Sequence, residues 1–363
     1  MHRRMRSRMR SRLFRLSMLI ALLVLSVGGL RHIRHNDSQS IALQPLLLDP
    51  GRPALKTVGE LTFLNAWQLN SLNSDFGGIS ALMALKDGRF VGLSDAGTLI
   101  GFGLRNNASA DRPFIAPLPG TMGPNIGFED RDAEGIAYNP ATGQFWISYE
   151  AKHAIRRFTP SLSRIDGKFT APEMRLWGSN SGAEAIVRFT DGRFAVFSEG
   201  MDMPDGSYMA LMFSGDPVEP GSSYFPFGYR PPAGFKATDA AILPNGKLLV
   251  LNRRIGFPEG FSAKLTVVDP KMIARGRTIS GKLLATLTAP LLVDNMEGLS
   301  ITQENGRTII WMISDNNFNA WQRTILMKFT LNPPKYVTPK NLRPSNSGTK
   351  KPEASIAPGF DSL

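Results

Sequence analysis

A short phrase returns five times along this chain: an acidic or glycine-led start, an apolar strand, a tight polar turn, a second apolar strand and a closing polar residue. The copies run from Gly78 to Asp95, Glu134 to Glu150, Glu184 to Glu199, Asp239 to Arg253 and Glu297 to Asp315, with starts 56, 50, 55 and 58 residues apart. One such unit is too small to bury its own apolar face, so the copies must stack on one another. A period near fifty residues made of short strands fits a ring of small sheets, a β-propeller. Turns such as Asp87-Gly88, Asp191-Gly192, Asn245-Gly246 and Asn305-Gly306 place a hairpin in each copy, because Gly, and to a lesser degree Asn and Asp, tolerate positive φ.

The fold class expected is therefore all-β, with five blades by repeat count. Six is the alternative, since residues 105–130 and 200–236 are long enough to hide further strands. Within the second copy the four strands are read as Glu134 to Tyr138, Gln144 to Tyr149, Ala154 to Phe158 and Glu173 to Trp177. The fifth copy ends after its third strand, Arg323 to Leu331, while Glu60 to Asn70 stands unpaired before the first copy. An N-terminal strand is thus expected to complete the last blade and close the ring, removing two sheet edges. Four regions follow: 1–35 as signal peptide or membrane anchor, 36–59 as linker, 60–331 as the propeller, and 332–363 as a polar, disordered tail.

The net charge of +12 suggests nucleic acid until its location is considered. Residues 1–35 hold nine arginines and no acid, which leaves +3 for the rest. A domain so near neutrality, without a basic helix, gives no phosphate-tracking surface, and no nucleic-acid partner is expected. The arginines of Arg3 to Arg15 precede an apolar run from Leu16 to Leu30, the pattern of a secretory signal or an uncleaved anchor. The protein is expected to be exported, either periplasmic or held on the inner membrane facing the periplasm, with membrane contact only through this segment. A basic arm on a cytosolic protein is the rival reading. Oligomeric state is left open by the sequence.

In a hairpin the start of the first strand lies beside the end of the second. In a propeller the first strands line the axis, so acids at these positions converge on one mouth. Carboxylates gathered there would repel one another unless cations or protons intervene. The chain has no cysteine, and His153 is the sole histidine outside the leader, so a transition-metal site is poorly supplied. Hard oxygen ligands suit Ca²⁺, with Mg²⁺ as alternative, held by Glu134, Glu184, Asp239 and Glu297. The competing reading is that these acids bond backbone amides of the neighbouring blade.

Candidate catalytic residues are Glu134, Glu297 and His153, with one of the glutamates as general base toward metal-activated water. A Ser-His-Asp centre would have to use His153, and no Gly-x-Ser-x-Gly elbow is present. Arg131, Lys152, Arg253 and Arg254 interleave with the acids and are the candidates for binding a small anionic ester substrate. The aromatic stretch from Tyr224 to Pro232 is either a lid or outer-strand packing.

The phrases Phe76-Gly-Gly-Ile-Ser80, Asp132-Ala-Glu-Gly-Ile136, Tyr229-Arg-Pro-Pro-Ala-Gly-Phe235 leading into Thr238-Asp-Ala-Ala241, and Asn295-Met-Glu-Gly-Leu299 together resemble the bacterial phytase-like family. The resemblance spans about Leu61 to Leu331. It implies an exported propeller with a phosphoester or ester hydrolase activity, and calcium beside acids and cations is the arrangement known in β-propeller phytases. The similarity to those is one of residue types, so no catalytic residue is carried over. A non-catalytic propeller that binds a ligand or envelope partner through the same mouth is the alternative function.

Overall fold

The tight turns do what their composition dictates. In the third and fourth copies a Gly at positive φ, Gly192 (91°) and Gly246 (78°), follows an ordinary turn residue and closes the hairpin, while Asn305 (50°) and Gly306 (74°) both enter the left-handed region in the fifth copy. The computed structural model of the chain describes residues 35–332, apart from Lys86, 105–108 and 179–180. The leader up to residue 34 and the tail from 333 lie outside the described residues, as do the readings made of them.

Five sheets form the ring. Blade 1 is Ile79–Ala84, Arg89–Ser94, Thr98–Leu104 and Ala110–Pro117, and blade 2 is Ala133–Tyr138, Phe145–Tyr149, Ala154–Phe158 and Ile165–Phe169. Blade 3 is Ala183–Arg188, Phe194–Asp202, Tyr208–Phe213 and Tyr224–Arg230, with Thr278–Ser280 added in parallel on its outer edge. Blade 4 is Lys236–Ile242, Leu248–Gly256, Gly260–Val268 and Lys282–Thr288. Blade 5 takes Met296–Glu304, Arg307–Ser314 and Ile325–Leu331 from the C-terminal end of the domain and Leu61–Asn70 from the N-terminal end, pairing Leu326 with Trp67 and Leu331 with Leu61. The expected ring closure is present.

Four of these readings change. No sixth blade is found among the described residues: the stretches 105–130 and 200–236 supply outer strands of blades 1 and 3. The Tyr224–Arg230 segment is one of these, with Phe227 and Tyr229 fully buried, and so is no lid. In blade 2 the outer strand is Ile165–Phe169; Glu173–Leu176 is a short 3₁₀ turn that drops Met174 and Trp177 into the seam. The segment 36–59, read as a linker, docks on the domain. Ala42–Pro45 and Thr57–Val58 both pair with Leu61–Asn70, and Ile41, Leu43 and Leu48 are buried.

The core consists of five seams, one between each pair of neighbouring blades. Along Leu248–Gly256, Leu248 and Val250 enter the seam with blade 3, whereas Leu249 and Leu251 enter the seam with blade 5. Both faces of a strand are thereby buried. That is why these strands read as continuous apolar runs with no polar alternation.

Candidate functional site

Every first strand carries a β-bulge at the same place. Pairing with the second strand skips one residue in each blade: Ser80, Glu134, Glu184, Thr238 and Glu297. A bulge leaves its extra residue out of the ladder and re-aims the side chain. Here it takes one residue per blade out of the two seams and presents it at the axis. The second strand then ends beside it, fixed by a recurring backbone bond from the closing acid. Asp95, Glu150, Glu199 and Asp315 donate N–H to the carbonyls of Gly78, Asp132, Gly182 and Asn295, at 2.9, 2.9, 3.1 and 2.9 Å.

The bulge separates one predicted ligand from the rest. Asp239 lies one residue past its blade's bulge, at the position held by Gly135, Ala185 and Gly298 elsewhere. Its carboxylate accepts from the amides of Ala240 (2.7 Å) and of Leu299 in the next blade (2.7 Å), and it is 3% exposed. Asp239 thus ties blade 4 to blade 5, as the competing sequence reading allowed. Gly135 and Gly298 serve the corresponding seams of blades 2 and 3 and of blades 5 and 1 by absence: a Cβ on Gly298 would stand 2.7 Å from Ile313 Cγ2 and 2.8 Å from Leu82 N of blade 1.

The acids gather on the side of blades 2 and 3. One carboxylate oxygen each from Asp132, Glu134 and Glu150 fall within 4.8 Å of one another, and so do those of Glu150, Glu184 and Glu199. Asp132 also accepts from Ala151 N (2.9 Å) and Glu150 from Gly182 N (3.1 Å). Of the four predicted metal ligands, Glu134 and Glu184 enter these groups, whereas Asp239 does not and Glu297 lies 3.3 Å from Arg253 Nε. Asp132, Glu150 and Glu199 complete the groups.

Burial forces these carboxyls toward the protonated form. It holds Glu134 and Glu184 well above the usual range, reinforced by the charges of neighbouring acids, and raises Asp132. Asp95 is pushed up to about 7 by burial and then by Asp315 and Asp132, Glu150 to about 7, and Asp315 to about 6. At Glu297 burial outweighs Arg253 and sets the value at about 8. Acids contributed by every blade except the fourth raise one another here.

The predicted cations divide into committed and uncommitted groups. Arg253 reaches Glu199 (2.9 Å), Asn295 (2.8 Å) and Glu297, and Lys236 adds a second cation at Glu199 (2.8 Å). Lys152 lies 3.0 Å from Glu129 and 3.7 Å from Asp130. Arg131 and Arg254 enter no ion pair among the described residues, and each has its Nε buried without a partner, with Arg254 lying over Phe235. His153 has φ 47°, a buried Nδ1 without a partner and a pKa lowered by burial; no hydrogen bond joins it to Glu134 or Glu297 among the described residues.

Residues 74–318 match the family described as "Phytase-like: Esterase-like activity of phytase". No curated protein matches the sequence. Among solved structures, the chain is similar to the glutaminyl cyclase of Myxococcus xanthus at 12% identity and a TM-score of 0.45, over 75% of this chain and 97% of that one. It is also similar to the major allergen Mala s 1 of Malassezia sympodialis at 11% identity and a TM-score of 0.43, over 80% and 96% of the two chains.

Proposed function

Because this chain belongs to the phytase-like family, whose description is an esterase-like activity of phytase, we propose that it is an exported hydrolase of a phosphate or carboxylate ester, working with a divalent cation at the propeller mouth. Calcium is the cation proposed first, with magnesium second. The observation that carries the reading is the group of Asp132, Glu134 and Glu150, three hard oxygen donors within 4.8 Å with no Lys or Arg paired to them among the described residues. Such a group must hold protons or a cation, and an all-carboxylate donor set fits Ca²⁺. The second group is less needy, because Lys236 and Arg253 already balance Glu199. Export rests on the arginine-rich leader and the apolar run that follows it.

A cation bound by Asp132, Glu134 and Glu150 would polarise the ester and lower the pKa of an attacking water. The chain's own residues supply the rest. Arg131, next to Asp132 in the chain and in no ion pair among the described residues, is the cation proposed to receive the anionic part of the substrate. Glu297, which is not one of those three donors and is pushed up to about 8 by burial, carries a proton at neutral pH that it can give to a leaving oxygen. The test is calorimetry of Ca²⁺ binding to the purified full chain, followed by turnover of p-nitrophenyl phosphate and p-nitrophenyl acetate with and without Ca²⁺. Glu134→Gln is expected to weaken binding and abolish turnover together. Absence of Ca²⁺ and Mg²⁺ binding overturns the metal site; binding without turnover of any ester leaves a ligand-binding propeller.

A further inference from the structure

The loops around the acidic mouth carry exposed apolar side chains. Met122 and Phe128 stand on the connection from blade 1 to blade 2, and Leu176 on the next connection. Phe257 and Trp321 stand on the hairpins that join second and third strands in blades 4 and 5, and Leu72 on the entry to blade 1. All six are between 66 and 92% exposed. At the opposite end of the ring the hairpins that join first and second strands expose no large hydrophobic residue among the described residues, and Met272, on the connection from the third to the fourth strand of blade 4, is 52% exposed. Single apolar tips set on separate loops around a polar centre do not form one flat patch of the kind a protein partner covers. They suit insertion side by side into a soft apolar medium.

The entry of the chain points the same way. Its first described residues lie on this face, where Asn36 N donates to Ser74 Oγ (2.9 Å), Ser74 N donates to Asn36 O (2.8 Å), and His35 lies 3.7 Å from Asp75. Ser74 and Asp75 lead directly into Gly78 at the mouth. The apolar run Leu16 to Leu30, with nine arginines around it, ends five residues before His35. So short a connection leaves the mouth face beside whatever holds that run.

We propose that the mouth face docks on a lipid bilayer, with the tips of Leu72, Met122, Phe128, Leu176, Phe257 and Trp321 at the headgroup boundary and the acidic mouth facing the lipid surface. The docking stands apart from the hydrolase reading. The substrate class it gives, an ester carried in or released at a membrane, rests on that reading.

Trp321 reports the contact directly, because Trp67, Trp146, Trp177 and Trp311 are all at most 5% exposed. The full chain is mixed with vesicles of phosphatidylethanolamine and phosphatidylglycerol that contain brominated lipid. Expected are quenching of Trp emission and loss of iodide access, both absent in Trp321→Phe. In Phe257→Ser combined with Trp321→Ser, vesicle affinity by sedimentation is expected to fall about tenfold or more. Sedimentation of the wild type with vesicles while Trp321 stays open to iodide overturns the proposal, as does absence of vesicle binding. Concentration-dependent shielding of Trp321 without lipid would assign the face to a second copy and overturn it equally. None of these readings uses turnover or a metal ion, so failure here and failure of the hydrolase reading are separable.

Discussion

Raising the pH from 5 to 8 in the absence of divalent cations is expected to destabilise the propeller. Glu150 and Asp95 are pushed up to about 7 and Glu297 to about 8, against ordinary values near 4. Between the two values the folded chain holds protons that the unfolded chain has released, so the stabilisation is full below the unfolded value and is lost as pH rises through the folded one. One retained proton makes the slope about 1.4 kcal/mol per pH unit, or about 3 kcal/mol between pH 5 and 7. In a domain of this size that is a fall in Tm of roughly 6–10 °C. The carboxyls share protons, so they titrate as a set and their individual contributions do not add.

Other groups do not mask the effect. Asp49, Asp87, Asp130, Asp191 and Asp205 are lowered, so their stabilisation is lost only as the pH falls below about 4. His153, lowered by burial, works in the opposite direction near its ordinary value, but as a single group. The assay is thermal unfolding in EDTA at pH 5, 6, 7 and 8, repeated with Ca²⁺. A bound cation takes the place of the protons, so Ca²⁺ should flatten the profile. Calorimetry in buffers of different ionisation enthalpy should then register proton release. A Tm in EDTA that is level or rises from pH 5 to 7 refutes the reasoning.

Two further substitutions test the frame around the cluster. Gly298→Val drives side-chain atoms into Ile313 and the backbone of Leu82 across the seam of blades 5 and 1, and an overpacking loss of about 1–3 kcal/mol is expected in urea unfolding, against almost none for Gly215→Ala, whose Cβ would meet nothing and whose φ is not in the left-handed region. Arg253→Met strips the cation from the nearly buried Glu297 and one of the two cations, the other being Lys236, from Glu199. A loss of about 3–5 kcal/mol at pH 8 should shrink at pH 5, where Glu297 is protonated, and equal losses at both values would show that the guanidinium acts by packing alone.

The turns and strands were legible in the sequence because each is a local signal. Asp-Gly and Asn-Gly pairs fix the hairpins, and an incomplete fifth copy beside an unpaired Leu61–Asn70 leaves ring closure as the economical solution. The outer strand of blade 2 was misplaced because Met174 and Trp177 are apolar and buried, as a strand residue would be, yet reach the seam from a 3₁₀ turn. The register at the mouth was the harder case. Aligning the copies by their acids puts Asp239 with Glu134, Glu184 and Glu297, whereas pairing with the second strand makes Thr238 the equivalent residue. A bulge depends on how two strands pair, and nothing in the composition of one strand reports it. Asp132 was passed over as a ligand for a related reason. Its counterparts two residues before each bulge are Gly78, Gly182, Lys236 and Asn295, so comparison of the repeats hides the one copy in which that position carries an acid.

The bulges explain how a fold made of apolar seams admits a charged centre. In an unbroken strand each side chain must enter one seam or the other, where a carboxylate would be stranded without water or a partner. The bulged residue enters neither, so its identity is free of the packing that fixes Leu248 to Leu251. Blades 2, 3 and 5 use that freedom for glutamate, and blades 1 and 4 use it for Ser80 and Thr238. The ring is therefore symmetric in backbone but lopsided in charge. Arg253 and Lys236 from blade 4 balance Glu199 and Glu297, and the uncompensated excess falls on Asp132, Glu134 and Glu150. A divalent cation bound anywhere else on the axis would leave that excess to be held by protons, so blade 2 is where it relieves the most repulsion.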